Sequence, residues 1–381
     1  MSGALPTAVL QLARHLDAGE VGRDTLDLAR YLRTRGCRSF VASGGGALLR
    51  ELAAAGVTHL PLPGDGENRL ARWLRSARLA RQIRQHRVGL IHAQSAGLAP
   101  AAAAAARAAG VPLVVTIREA APSRSALDAL ALADRLIAVS EFVAEDISTR
   151  LPRAGGKLSV VHRWVDLTEF DPERVRGYRV QALAERWGIG PGVGVVLVPP
   201  LPAGDRGRLL LLQAMARTAR PDVAALLLGG PDTDTREGAE FVAAVRRSGL
   251  GERVRFTSGA DDLPAALALA DVVVVSATNP DPSGFLAAAA QAMGRPVIVT
   301  HRGALAEAVL PASTGWLVPA DDAGELARAL ELALALDADT RRRLGARARA
   351  FVAETFGMAA NADRILAVYR ELSGPPLARA G

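Results

Sequence analysis

Residues 271–319 read DVVVVSATNPDPSGFLAAAAQAMGRPVIVTHRGALAEAVLPASTGWLVP, and this stretch decides the predicted fold. Its β-branched run Val272–Val275 is typical of a strand buried on both faces. Ser283 is a suitable cap for a helix beginning at Gly284, and Gly294 ends that helix. A helix that starts at the carboxyl end of a parallel strand points its first N–H groups towards bound phosphate. The stretch therefore predicts a parallel α/β domain with an anion site.

Strand and helix patterns alternate along the rest of the chain. The predicted strands of the first half are Ala8–Ala13, Ser39–Ser43, Gly89–His92, Leu113–Ile117, Leu136–Val139 and Leu158–Val161. Those of the second half are Val193–Val198, Ala224–Leu228, Val254–Thr257, Val272–Val275 and Pro296–Thr300. The turn-rich segment DLTEFDPERV lies between the two halves. Alternation of this kind predicts an α/β fold with parallel strands and right-handed crossovers.

The length of 381 residues exceeds what one hydrophobic core usually organises. We therefore expect two doubly wound domains, residues 1–170 and 171–355. One long helix is predicted over about Asp339–Leu372. Residues 356–381 are expected to return and pack on the first domain.

The composition excludes several classes of protein. No apolar run reaches about 18 residues, the usual length of a membrane span. The single cysteine, Cys37, excludes an internal disulfide and a cysteine-based metal cluster, and it fits a reducing compartment. We therefore expect a cytoplasmic protein. No GxGxxG motif opens either half, which argues against a dehydrogenase.

Arginine supplies almost all of the net charge of +7, since Lys157 is the only lysine. Between Arg69 and Arg87 an arginine recurs every third residue, a spacing that slips about 60° per step around a helix and forms no single face. Two interpretations stay open. The helix contacts anionic lipid or a lipid-linked acceptor at the inner face of the membrane, or it is a solvated surface helix. Nucleic acid is not expected, because neither aromatic interleaving nor a known binding motif accompanies the charge.

Several segments, spread from near the start to near the end, carry a resemblance to a known family. They are AGEVGRDTLDLARYL, LIHAQSAGLAP, RLIAVSEFVAEDI, KLSVVHRWVDLTEFDP, GRPVIVT and FVAETFGMAANADRILAVYRELS. Together with residues 271–319, they resemble the family 4 glycosyltransferases of bacterial type. The resemblance implies the GT-B fold, in which two Rossmann-like domains face each other across a cleft. It also implies retaining, metal-independent transfer of a hexose from a nucleotide-sugar donor, without a cofactor, to a cell-envelope glycan or lipid-linked acceptor.

The donor-phosphate position of the family falls in the segment VPPLPAGDRGRLLLLQAM. The resemblance places the family's lysine at Arg206, which precedes Gly207, and the family's arginine at Leu201. Arg206 keeps a positive charge that can bind phosphate, whereas Leu201 cannot. The alternative interpretation is that Asp205 and Arg206 are only a helix cap and a surface charge.

The family's pair of glutamates falls on Asp281 and Ala289, counted back from the intact Ala290–Met293. The resemblance gives Asp281 the role of accepting hydrogen bonds from the sugar hydroxyls. Ala289 cannot replace a carboxylate. Glu307 in the next loop matches another family glutamate and is assigned to donor binding. Its alternative role is that of a charge near a helix start. The amides around Ser283 and Gly284 complete the expected donor site.

The first half contributes three further candidates. Gly19 follows the first strand and would let backbone N–H groups approach a phosphate, although Glu20 beside it would repel one. Arg118 stands where the family often has a histidine close to the reacting sugar. His92 matches a family histidine at a strand end and was assigned to the acceptor or donor, although a buried structural role is as common there. The expected catalytic residues are therefore Asp281, Arg118 and His92.

Two functions remain open. The first is an active sugar transferase with an altered donor pocket, which uses Arg206, Arg118 and Asp281. The second is a catalytically impaired glycosyltransferase-like protein that acts as a binding or scaffold partner. A nucleotide-sugar epimerase with the same fold is less favoured, because no convincing acid and base pair is visible.

Overall fold

The structure is a computed structural model. It describes residues 5–62, 69–201, 205–230, 234–257 and 262–373. The side chains of residues 69–75 and 237 are not part of this description. The chain divides into two compact units. Unit 1 comprises Met1–His162 together with Ala359–Gly381, and unit 2 comprises Arg163–Met358.

Unit 1 is a parallel sheet with helices between its strands. The strands are β1 (Ala8–Leu12), β2 (Arg38–Ser43), β3 (Thr58–Pro61), β4 (Leu90–Ala93), β5 (Leu113–Ile117), β6 (Arg135–Ala138) and β7 (Leu158–Val160). The helices are α1 (Glu20–Thr34), α2 (Leu49–Ala54), α3 (Arg69–His86), α4 (Ala99–Ala109), α5 (Arg124–Leu130) and α6 (Glu141–Arg150). The sheet order β3-β2-β1-β4-β5-β6-β7 is that of a doubly wound fold, which places the switch point between β1 and β4.

Unit 2 repeats this architecture. Its strands are β8 (Gly194–Val198), β9 (Val223–Leu227), β10 (Val254–Phe256), β11 (Val272–Val275), β12 (Val297–Thr300) and β13 (Trp316–Val318). Its helices are α7 (Gly177–Arg186), α8 (Gly207–Arg217), α9 (Arg236–Arg247), α10 (Leu263–Leu269), α11 (Phe285–Ala292), α12 (Ala323–Leu334) and α13 (Ala338–Thr355). The parallel sheet has the order β10-β9-β8-β11-β12-β13, so its switch point lies between β8 and β11.

The predicted central strand is confirmed. All four valines of β11 are buried. Val273 pairs with Val297 of β12 and with Leu197 of β8, which gives β11 a neighbour on each side. Helices pack on both faces of this sheet, so a β-branched run without polar alternation is what the position requires. The short strands β3 and β13 were not predicted.

The end of the chain differs from the prediction of one long helix. The structure has two helices, α13 and α14 (Met358–Leu372), and the break falls at Phe356 and Gly357. α14 belongs to unit 1. Its Tyr369 is fully buried there, and its Asp363 pairs with Arg35 at 3.2 Å. Residues 374–381 of the predicted returning segment lie outside the described residues.

The arginine-rich helix α3 has one buried side over the part whose side chains are described. Leu79, Ala80 and Ile83 are buried. Arg78, Arg81 and Arg84 are exposed. The predicted arginine repeat also includes Arg69, Arg72 and Arg75, whose side chains lie outside the described part of the chain. Throughout the described residues, we find no helix with the length and apolar character needed to cross a membrane.

Candidate functional site

The loop after β8 in unit 2 is fastened to the loop after β11 by one carboxylate. Asp205 is buried and accepts hydrogen bonds from the backbone N of Gly207 at 2.7 Å, Thr278 at 3.0 Å and Asn279 at 2.9 Å. The hydroxyl of Thr278 also donates to it at 2.9 Å. Two loops on either side of the sheet's switch point are therefore held together at its carboxyl edge, where ligands of such sheets bind.

Gly207 explains how α8 begins so close to the strand end. A Cβ added there would lie 1.9 Å from the carbonyl oxygen of Ser276, a distance that no side chain tolerates. The Ser276 hydroxyl donates to the Gly207 carbonyl at 2.8 Å. The chain must carry glycine at this position, directly after Arg206.

Arg206 lies where the sequence predicted a phosphate-binding cation. Its backbone N donates to the hydroxyl of Thr278 at 3.0 Å, and its side chain is exposed at the start of α8. Leu201, at the other family position, is half-buried and packs against the core of unit 2. The alternative interpretation of this segment is right about Asp205, which is a structural cap. Arg206 remains exposed and able to bind an anion.

Arg208 is a second cation at the same helix start. Its Nη2 donates to the Gly229 carbonyl at 3.2 Å, and its buried Nε has no partner among the described residues. Burial lowers the pKa of the Arg208 guanidinium, and the Asp205 carboxylate partly opposes this shift. Arg208 is therefore bonded to the loop after β9.

Asp281 caps its own loop. Its Oδ1 accepts hydrogen bonds from the backbone N of Ser283 at 2.9 Å and of Gly284 at 2.6 Å. Aspartate commonly bonds amides two and three residues ahead in this way. The expected anion site at these two amides is therefore already occupied by Oδ1. Oδ2 makes no hydrogen bond within the part of the chain that the structure describes.

The start of α11 differs by one residue from the prediction. Gly284 has a φ of 64° and the helix begins at Phe285. Ser283 is buried, and its Oγ accepts from the Phe285 backbone N at only 3.4 Å. Ser283 is therefore a weak cap. The residue that bonds the amides before α11 is Asp281.

The second carboxylate position is closed to any ligand. Ala289 is fully buried in the core of unit 2. Two residues on, the amide nitrogen of Gln291 donates to the carbonyl of Ala308, which ties α11 to a short 3-10 helix, Ala304–Ala308. Glu307 lies on that short helix and is half-buried. It thus lies on the short helix that Gln291 ties to α11.

Sequence reasoning missed Arg163. Its guanidinium carbon lies 3.7 Å from the centroid of the Phe285 ring, and the residue is only 9% exposed. The ring of Phe170 meets Phe285 edge-on at 6.0 Å. The signal was present in the segment KLSVVHRWVD, which was used only as part of the family pattern.

In unit 1, Arg118 is held by a closed network at the carboxyl edge. Its Nη1 donates to Asp24 at 2.6 Å, and its Nε and Nη2 donate to the Gln94 carbonyl and side chain at 2.9 and 3.1 Å. The side chains of Arg118 and Asp24 are 9% and 4% exposed. Glu20 is 3.9 Å away. Arg118 is thus a neutralised, positioned cation after β5.

His92 lies in the interior of unit 1. Its Nδ1 bonds the Tyr369 hydroxyl at 2.6 Å and its Nε2 bonds the Thr116 hydroxyl at 2.7 Å. Burial, with a smaller contribution from the charge of Arg118, lowers the pKa of His92 to about 3. The ring is neutral at pH 7 with both nitrogens in use. This geometry argues against the predicted contact of His92 with donor or acceptor and assigns it to the packing of α14.

Gly19 is the N-cap residue of α1, and its carbonyl accepts from the Arg23 backbone N at 3.0 Å. A Cβ added at Gly19 would meet nothing within 4 Å. The protein itself therefore does not require glycine there, whereas a ligand approaching the backbone would.

The predicted site residues form two groups. Arg206, Asp281, Ser283, Gly284 and Glu307 all lie at the loops that surround α8 and α11 of unit 2. Gly19 and Arg118 lie at the carboxyl edge of unit 1, and His92 lies beneath it. Among the described residues, no group of three or more His, Cys, Asp or Glu side chains could hold a metal ion.

Two doubly wound parallel sheets in one chain, each with polar loops at its carboxyl edge, define the GT-B class of glycosyltransferase folds. Solved structures agree. A glycosyltransferase from Rickettsia africae ESF-5 superposes with a TM-score of 0.87 at 21% identity, over 97% of this chain and 99% of that one. Anabaena Alr3699/HepE, solved with UDP and glucose, has a TM-score of 0.80 at 21% identity, over 94% and 98%.

Family models match both halves of the sequence. The model of Glycosyltransferase Family 4 matches residues 21–169, and that of Glycosyl transferases group 1 matches residues 195–335. The chain belongs to the family 4 glycosyltransferases.

Curated relatives include the D-inositol 3-phosphate glycosyltransferases of Mycobacterium. That of strain KMS is 34% identical over 218 residues, which cover 55% of this chain and 47% of the relative. That of Mycobacterium bovis BCG Pasteur is 31% identical over 249 residues, 64% of this chain and 49% of the relative. The matched region thus spans about half the length of these relatives.

Proposed function

We propose that the protein transfers a hexose from a nucleotide-sugar donor to a cell-envelope glycan or lipid-linked acceptor, with retention and without a metal ion. The observation that carries the proposal is the placement of Arg206. It is exposed at the start of α8, fixed through Asp205 and Gly207 beside the loop after β11. The UDP and UDP-glucose in the Anabaena neighbour's structures support a nucleotide-sugar as the donor class.

The chemistry follows from the charge of the leaving group. A departing nucleoside diphosphate gains negative charge, and a guanidinium held at the site stabilises it. Asp281 contributes its Oδ2 as an acceptor for a sugar hydroxyl, while its Oδ1 keeps the loop in shape. Glu307, on the neighbouring short helix, is the candidate acceptor for the ribose.

Arg118 has a positioning role in this proposal. A guanidinium carries five N–H donors, and the three contacts to Asp24 and Gln94 leave two of them. Its orientation is fixed before any ligand arrives, so little side-chain entropy is lost on binding.

The proposed location is cytoplasmic, with peripheral contact to the membrane through α3. The exposed Arg78, Arg81 and Arg84 project from a helix whose other side is buried. Each arginine near an anionic surface contributes about 1 kcal/mol of attraction. Sedimentation with vesicles containing anionic phospholipid tests this, and equal recovery with neutral vesicles would contradict it.

A specific observation favours the second candidate function, a binding or scaffold protein. Leu201 packs on the core and Ala289 is fully buried, and neither side chain can form a charged hydrogen bond with a donor. Loss of one charged hydrogen bond lowers affinity roughly ten- to a hundredfold.

Two experiments distinguish the transferase from the scaffold protein. The first is calorimetry with nucleoside diphosphates and a panel of nucleotide sugars, and the second is a transfer and hydrolysis assay. Binding accompanied by turnover supports the transferase. Binding without any turnover supports the scaffold. Absence of binding at millimolar concentration would exclude the enzyme.

A further inference from the structure

Two buried glutamines lie beneath Arg118 in unit 1. Gln11 is on β1 and Gln94 follows β4, the two strands at the switch point of this sheet. Both side chains are shielded from solvent almost completely. A buried amide needs partners for its carbonyl oxygen and for its NH2 group, because an unpaired polar group in the interior costs free energy. The partners of these two amides therefore decide how each side chain is oriented.

The hydrogen bonds of the two glutamines form a chain from α1 to Arg118. The Nε2 of Gln11 donates to the carbonyl of Thr25 at 3.2 Å. The Nε2 of Gln94 donates to the Oε1 of Gln11 at 2.7 Å. The Nη2 of Arg118 donates to the Oε1 of Gln94 at 3.1 Å. Gln94 also binds this arginine through its backbone, because its carbonyl accepts from Nε at 2.9 Å.

This chain of hydrogen bonds can run in only one direction. At one end the carbonyl of Thr25 only accepts, and at the other end the guanidinium of Arg118 only donates. Rotating one amide, or both, would place two acceptors or two donors against each other somewhere along the chain. The guanidinium therefore has a single orientation in which the buried amides beneath it are satisfied.

The same amides set the tautomer of His92. The Nε2 of Gln94 has a second proton, and it faces the Nδ1 of His92 at 3.4 Å, so Nδ1 is the acceptor. The Tyr369 hydroxyl then donates to Nδ1 at 2.6 Å. The ring proton is left on Nε2, which donates to the Thr116 hydroxyl at 2.7 Å. Because Tyr369 lies on α14, the network extends from the edge of the sheet to this helix.

We propose that Gln11 and Gln94 are positioning residues for Arg118, held in a buried hydrogen-bond network that allows one arrangement. The orientation of Arg118 follows from the structure alone. Its use rests on the proposed function, in which the remaining N–H groups of Arg118 bind substrate. A guanidinium that is oriented before binding loses little side-chain entropy, so a looser Arg118 should support slower turnover.

The tautomer of His92 gives the first test. NMR of the full chain labelled with 15N-histidine reports the ring nitrogens of all six histidines, and H92Q assigns those of His92. We expect a protonated Nε2 and an unprotonated Nδ1. The opposite tautomer would overturn the proposal, because the N–H groups of Gln94 and His92 would then oppose each other.

Exchange of the Arg118 guanidinium protons gives the second test. In a chain labelled with 15N-arginine, R118K assigns their signals. Q11M leaves Asp24 and Gln94, the partners of Arg118, in place but removes the amide that orients Gln94. Exchange should become roughly three- to tenfold faster, as expected for one lost hydrogen bond. Q291M is the matched control, because Gln291 is equally buried but lies in unit 2, and the exchange rate should not change.

Q11E separates orientation from stability. A carboxylate at position 11 still accepts from the Nε2 of Gln94, although a buried carboxylate destabilises the fold. Exchange of the β1 backbone amides measures that destabilisation in the same sample. Relative to these amides, Arg118 should exchange as slowly in Q11E as in the unaltered chain. Equal exchange in Q11M and the unaltered chain, or faster relative exchange in Q11E than in Q11M, would overturn the role of Gln11.

Turnover tests the use of Arg118. With a nucleotide sugar that the unaltered chain consumes, Q11M should lower kcat/KM roughly three- to tenfold and change UDP affinity less than about twofold. Unchanged kcat/KM would overturn the contact of Arg118 with substrate and leave the proposed function standing. If the unaltered chain consumes no nucleotide sugar, the proposed function fails, while the tautomer and exchange measurements still decide whether the glutamines position Arg118.

Discussion

The carboxyl edges of the two units handle charge in opposite ways. In unit 1 the cation Arg118 is paired with the carboxylate of Asp24, and both side chains are buried. In unit 2 the carboxylates of Asp205 and Asp281 are bound by backbone amides. The arginine beside them, Arg206, is left exposed.

This difference separates an edge whose arginine is already paired from an edge whose arginine is exposed. A buried pair of opposite charges is already satisfied and offers little net field to a ligand. Carboxylates that cap backbone amides fix the loops of unit 2, and among the described residues they form no ion pair with Arg206. The same residue types thus give unit 1 a buried ion pair and unit 2 an exposed guanidinium. Each of the following experiments would break or sharpen that contrast.

The largest effect is expected for D24A. It removes the nearer, buried carboxylate and leaves Arg118 only the exposed Glu20 at 3.9 Å, and removal of one partner from a buried pair costs about 3–5 kcal/mol. Hydrogen exchange of the β5 amides measures this local stability.

Matched variants set the scale for this measurement. E51Q is the control, because Glu51 pairs with Arg23 and Arg30 at a site where its side chain is 43% exposed, and it should cost at most about 1 kcal/mol. The double variant D24A/R118M should recover most of the loss, since no unpaired charge remains. Equal effects of D24A and E51Q would show that the buried pair is not what holds this edge.

R206Q is expected to have the second largest effect. Removing the exposed guanidinium should weaken binding of a nucleoside diphosphate by about 1.5–3 kcal/mol, or roughly ten- to a hundredfold, with unchanged stability. Calorimetry measures the affinity. R217Q removes the same charge from the far end of α8 and should leave it nearly unchanged. Similar affinities in both variants would remove the proposed difference between the two edges.

The sequence predicts the fold better than the site, and particular residues show why. The run Val272–Val275 and the alternation of elements depend on burial and periodicity, which are local patterns. Arg206 was placed only by the resemblance to the family, at the position of its lysine. The hydrogen bonds from the Ser283 and Gly284 amides to Asp281 were not predicted, because a family motif treats aspartate and glutamate as interchangeable acceptors. Only the shorter side chain bonds its own loop.

Contacts between distant segments of the chain could not be predicted from the sequence either. Arg163 and Phe285 are separated by more than a hundred residues, and no period or spacing links them. His92 was predicted from its place at a strand end. The Nδ1 of His92 bonds the buried hydroxyl of Tyr369, which lies on α14. Family position alone could not show that this nitrogen is in use.

His92 gives a pH dependence that belongs to unit 1. Its pKa is lowered to about 3 by burial, so the unfolded chain binds a proton that the folded chain does not. Stability from this group is therefore present at neutral pH and is lost as pH falls from about 6.5 towards 3. Between pH 6.5 and 5 the loss should approach about 2 kcal/mol.

Hydrogen exchange of the β4 amides at both pH values measures this loss. H92Q should show a shallower pH dependence than the unaltered chain over this range, whatever its absolute stability. Y369F keeps the imidazole buried and should retain the slope. An identical slope in H92Q would mean that other groups control the acid sensitivity of unit 1.

The smallest effect is expected for S283A. The serine was predicted to cap α11, yet its Oγ accepts from the Phe285 N–H at 3.4 Å, beyond the usual range of such bonds. Because the neighbouring amides are held by Asp281, removal of this hydroxyl should change stability by less than about 0.5 kcal/mol and diphosphate affinity by less than about threefold. D281A, measured by the same calorimetry, should have the larger effect, since it removes the Oδ1 that accepts two N–H groups. If S283A lowered affinity more than D281A, the hydroxyl itself would be a ligand contact, and the edge of unit 2 would bind its anion through more than arginine.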